Sequence, residues 1–90
     1  MPVEFIKNVQ FTRLLKVEGR FREFNFRKMG SKSEGQFSVD TADERGNRIM
    51  FAMRKEDDHW RLISTSVPAW IRQNETPLHE VIEEELSLLH

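Results

Sequence analysis

The chain has 90 residues, 38% apolar and 32% charged, with no cysteine and a net charge of −1. This balance is too apolar for a disordered chain and too polar for a membrane protein, and no run approaches the ~20 apolar residues that span a bilayer. Without cysteine there is no disulfide framework, thiolate nucleophile or cysteine metal site.

Ninety residues suffice for one core, so a single domain over 1–90 is expected. Met1 to Lys7 lack the basic region and apolar stretch of a signal peptide, which favours a cytoplasmic protein. Charge is unevenly spread: +5 over residues 1–32, 0 over 33–55 and −6 over 56–90. That asymmetry permits an anionic partner at one end, or attraction between the two ends.

From Val3 to Val17 six of the eight odd positions are apolar, against two of the seven even ones, Ile6 and Leu14. Period two predicts a strand. Its length exceeds a usual strand, so a bend or break is expected near Asn8 or Arg13. Gly19 predicts a turn into a second strand, Phe21 to Met29. There Phe24 and Phe26 share a face while Phe21 is out of step, which a bulge at Arg22-Glu23 would correct. Gly30 to Gly35 reads as a loop, Gln36 to Thr41 as a strand, and Asp43 to Asn47 as a turn. Arg48 to Arg54 is apolar on both faces: Ile49, Phe51 and Met53 on one, Met50 and Ala52 on the other. Such a strand is expected to be covered on both sides. Glu56-Asp57-Asp58 breaks it, and His59 to Ile63 follows with Trp60 and Leu62 on one face.

Pro68 suits a first helical position. Pro77 restarts a helix with Thr76 as N-cap, since the residue before a proline is steered from helical angles. Leu78, Val81, Ile82, Leu86 and Leu89 then form one apolar stripe. The expected fold is α+β: a curved antiparallel β-meander of about five strands, with two C-terminal helices packed on one face. The helices are placed at 68–74 (short) and 77–88 (longer). The expected core is Phe37, Val39, Ile49, Phe51, Ile63, Val81, Ile82 and Leu86. Asp58 to Ile63 resembles the closing strand of several α+β domains, NTF2-like ones among them. The likeness covers six residues and carries nothing further.

Arg20 to Lys28 interleaves phenylalanines with cations, as single-strand nucleic-acid binders do. Arg20, Arg22, Arg27 and Lys28 are the candidate polyanion contacts, although the pattern departs from the RRM consensus. The same alternation describes an amphipathic strand with core phenylalanines and solvated arginines. His79 to Glu83 lacks the second histidine of a zinc-protease helix. Glu56 to His59 lacks the length and central glycine of an EF-hand loop. Ser64 to Ser66 ahead of Pro68 fits capping as well as anion binding. Glu84 and Glu85 point to different sides of a helix, so they do not converge for acid–base work. No nucleophile, base and orienting group assemble from these motifs, so neither an enzyme, a cofactor nor a metal site is expected.

The leading expectation is a non-catalytic interaction module, self-associating as a homodimer through an uncovered sheet face with Met50, Ala52 and Trp60. Two alternatives stand beside it. One is binding of single-stranded nucleic acid or another polyanion through residues 20–28. The other is a small apolar ligand held inside the curled sheet.

Overall fold

The computed structural model describes residues 9–29, 35–63 and 66–88. Five strands pair antiparallel in chain order: β1 (Gln10–Val17), β2 (Arg20–Lys28), β3 (Gln36–Ala42), β4 (Arg48–Glu56) and β5 (His59–Leu62). Two helices follow, α1 (Ala69–Arg72) and α2 (Glu75–Leu88). The sheet curls, and the helices pack against one of its faces.

Two-residue turns set the register at both ends of the meander. Glu18 and Gly19 join β1 to β2 with φ of +51° and +82°, and Asp57 and Asp58 join β4 to β5 at +52° and +68°. Left-handed angles at both central positions match the twist of a tight hairpin. Aspartate enters that region more readily than most residues because its short side chain bonds locally. Between β3 and β4, Asp43 holds the turn. Its carboxylate accepts the backbone N–H of Arg45 at 2.9 Å and of Asn47 at 2.8 Å. The Asn47 N–H above all keeps that carboxyl below the usual aspartate range.

Cross-strand rows build the core. Phe11 lies opposite Phe26, Phe26 opposite Val39, and Val39 opposite Phe51. A second row runs Phe37, Met53, Leu62. Val67, Ile71, Leu78, Val81 and Ile82 close onto these rows. Aromatic contacts fix the packing: Phe11 stacks on Phe26 at 4.7 Å, and Phe37 meets Trp60 edge-on at 5.2 Å. The buried Thr41 hydroxyl donates to the Glu23 carbonyl at 2.9 Å, so it enters the core satisfied.

The expected fold is therefore present, with local corrections. β1 and β2 pair without a slipped residue, so there is no bulge at Arg22-Glu23. Phe21 instead faces away from Phe24 and Phe26. β1 also runs unbroken through Arg13; residues 3–8 of the expected first strand lie outside the described residues, as do 30–34 of the expected loop. α1 is shorter than 68–74, with Pro68 as its N-cap residue. α2 begins at Glu75, so Thr76 and Pro77 sit inside its first turn. The first N–H groups of a helix have no intrahelical acceptor, and a proline there removes nothing. Of the expected core, Ile49 and Leu86 are only partly buried. Ile63, 37% exposed, follows Leu62 and so turns to the face away from the helices.

Candidate interaction surface

The sheet has two edges, and among the described residues they are finished differently. In the β4–β5 hairpin Glu56 and His59 flank the turn, so Trp60 and Leu62 direct their N–H groups outward. α2 supplies acceptors for both. Trp60 N–H donates to His79 Nδ1 at 3.0 Å, and Leu62 N–H to Glu75 Oε2 at 2.8 Å. Glu83, the next residue of the same i, i+4 row, accepts the Trp60 indole N–H at 2.8 Å and Lys55 Nζ at 3.1 Å. His59 stacks on His79 at 4.2 Å. Glu75, His79 and Glu83 thus form a seam that blocks strand addition at β5.

Burial pushes the Glu83 carboxyl up, but the hydrogen bonds from Lys55 and Trp60, with the Lys55 charge, more than offset it. The group is held below the usual glutamate range. A carboxyl lowered by folding stabilises the fold above its unfolded value, about 4.3. That contribution disappears as pH falls through the lower folded value. The expected result is that wild type loses more unfolding free energy than Glu83→Gln between pH 7 and pH 3, measured by urea denaturation. Equal losses would show that Glu83 carries none of the acid sensitivity.

Among the described residues β1 has no such cover. Its two-residue turn makes Val17 and Arg20 a hydrogen-bonded pair, and Lys28 N–H donates to the Val9 carbonyl at 2.9 Å in the same phase. Odd residues of β1 therefore bond β2. Thr12, Leu14 and Lys16 turn their backbone N–H and C=O outward, with no backbone partner among the described residues.

The sheet face away from the helices is mixed. Its middle is polar: Thr12 donates to Asn25 Oδ1 at 2.6 Å, and Asp40 lies 3.4 Å from Arg48. A shallow groove of about 580 Å³ runs there, lined by Thr12, Asn25, Arg27, Ser38, Asp40 and Met50 among others. The most exposed large apolar side chains described on this face are Leu14 (62% exposed), Phe21 (68%) and Met50 (68%). Leu14 and Phe21 are diagonal neighbours, since Leu14 pairs with Glu23 and Lys16 with Phe21.

Of the expected face, Met50 is exposed and Ala52 half-buried on this side. Trp60 is a correction. It is 2% exposed and lies with Lys55 and Met53 on the helix-covered face. The cause is turn length. A break of three residues, Glu56 to Asp58, would align Trp60 with Met50 and Ala52, whereas the actual two-residue turn aligns it with Lys55. A one-residue shift moves every later side chain to the other face.

The candidate polyanion contacts are dispersed. Arg20 is exposed at the start of β2, and Arg27 is exposed on the open face. Lys28, one residue on, points to the opposite face. Arg22 is engaged inside the protein: it donates to the Ala42 carbonyl at 3.2 Å, lies 3.6 Å from Glu44 and covers the Trp70 ring at 4.4 Å. Its Nε is buried without a hydrogen-bond partner. The acidic helix pairs instead with Arg13, at 2.8 Å from Glu84 and 3.0 Å from Glu85, and with Lys55. These solvent-screened pairs are worth about 0–1 kcal/mol each. They orient α2 across the sheet more than they hold it there.

Among the described residues no three histidine, aspartate or glutamate side chains are grouped to hold a metal ion. His59 turns to His79 rather than to the acidic turn beside it. Ser64 and Thr65 lie outside the described residues. No described helix is long and apolar enough to cross a membrane. Compared with family models, curated proteins and solved structures, the chain gives no match.

Proposed function

We propose that this chain is a non-catalytic protein-interaction module that self-associates through the part of the sheet its helices leave uncovered. The observation that carries the reading is the exposure of Leu14, Phe21 and Met50 on that face, beside a core that buries Phe24, Phe26, Phe37, Phe51 and Trp60. Leu14 and Phe21 are diagonal neighbours, and contiguous exposed apolar patches mark interaction sites. The alternatives have less support. A polyanion would meet Arg20 and Arg27 on different faces and Arg22 already engaged. An apolar ligand inside the curl would compete with Trp60, Ile71, Leu78 and Ile82, which fill it.

Light scattering at hundreds of micromolar chain is expected to give twice the chain mass, a range suited to weak association. The triple variant Leu14→Asp, Phe21→Asp, Met50→Asp is expected at the single-chain mass with an unchanged circular dichroism spectrum. A wild-type mass of one chain throughout would overturn the reading.

A further inference from the structure

Resting on that self-association, we infer that the contact is made edge to edge: β1 pairs antiparallel with β1 of a second copy, about a two-fold axis at Leu14. The asymmetry of the two sheet edges points there. Side chains of α2 occupy the outward N–H groups of β5, while those of Thr12, Leu14 and Lys16 in β1 have no backbone partner among the described residues. An unpaired strand edge is a template for another strand, and a two-fold contact requires one patch to complement itself.

The residues select the register. Outward-bonding residues must oppose outward-bonding residues, so even positions face even positions. A two-fold at Arg13 would set Arg13 against its own copy, and like charges directly opposite destabilise a sheet. A two-fold at Leu14 sets Leu14 against Leu14, Thr12 against Lys16, Arg13 against Leu15 and Phe11 against Val17. No like charges meet, and Lys16 gains an uncharged partner. The overlap runs from Phe11 to Val17 within β1. Both copies then present their open faces on one side, with Leu14 at the axis and Phe21 diagonal to it. Met50, on β4, lies away from the contact.

The second copy also explains why β1 carries leucine at an exposed edge position. Natural edges are more often guarded by charge, proline or a covering element. Here Arg13 is the only charged residue between Gln10 and Leu15, and Glu84 and Glu85 of its own chain hold it.

The test separates edge from face. Leu14→Pro removes an N–H that the β1–β2 ladder does not use, and edge strands accept proline there. By light scattering it is expected to weaken self-association roughly 100-fold or more. In wild type, amide hydrogen exchange at Thr12, Leu14 and Lys16 is expected to slow as protein concentration rises. That measurement decides the question even if Leu14→Pro fails to fold. A folded Leu14→Pro that keeps the dimer mass, or concentration-independent fast exchange at these amides in a dimeric wild type, would overturn edge pairing and leave the face reading. A wild-type protein of single-chain mass at every concentration would overturn both.

Discussion

Trp60→Ala is expected to lower the unfolding free energy by about 3–5 kcal/mol, read from urea denaturation at pH 7. A chain of this length has roughly 5–13 kcal/mol in all, so the variant is expected to be partly unfolded at 37 °C. Three losses combine. The indole is 2% exposed and its ring packs edge-on against Phe37 at 5.2 Å, so alanine leaves a cavity among well-packed neighbours. Removing the indole N–H takes one of the two donors from Glu83, the other being Lys55 at 3.1 Å. The strand itself is short, four residues, and Trp60 is its one fully buried side chain. A loss near zero with a change in oligomeric mass would be the signature of an interface residue and would contradict the burial. Trp60→Phe restores the ring but not the donor, and is expected to recover most of the loss, leaving about 1–2 kcal/mol for the missing hydrogen bond.

The same residue shows how far the sequence could be read. Period-two alternation located all five strands, because apolar residues spaced by two have one stable use in a half-covered sheet. Pro68 and Pro77 located the two helices to within a few residues. What alternation does not encode is the length of a turn, and parity across a turn depends on it. Reading Glu56-Asp57-Asp58 as the turn gave Trp60 the wrong face, while Asp57-Asp58 alone gives it the core. Phe21 failed in the reverse sense. Its phase suggests a defect that a bulge would mend, whereas the plain register exposes it. Leu14 was visible as one of two apolar residues at even positions in the first strand, a weak signal that the phase of the ladder turned into a surface feature. The seam of Glu75, His79 and Glu83 was the least legible. Each of these residues is ordinary on an exposed helix face, and their role comes from the crossing that lays α2 along β5.

That seam leads to the second large effect. Glu75→Ala with His79→Ala is expected to lower stability by about 2–4 kcal/mol, because two outward N–H groups of β5 lose their acceptors. It is also expected to change how the protein associates. With the β5 edge of wild type capped by α2, the proposed pairing through β1 would join two copies and stop. With β5 uncapped, each dimer presents a bare strand at either end of a continuous sheet. Such ends can join without closing, and open-ended contacts grow into chains rather than defined oligomers. Light scattering of the double variant is therefore expected to show a mass that rises with concentration past twice the chain mass. Adding Leu14→Pro to it should return growth to a single step, because only the β5 edge then remains for pairing. His79→Gln, whose amide oxygen can still accept the Trp60 N–H, is expected to stay near wild-type behaviour in both measurements. If the double variant loses stability but keeps the wild-type mass at every concentration, the seam supports β5 without guarding it. The proposed restriction of association to β1 would then need another cause, such as the twist and short length of β5 itself.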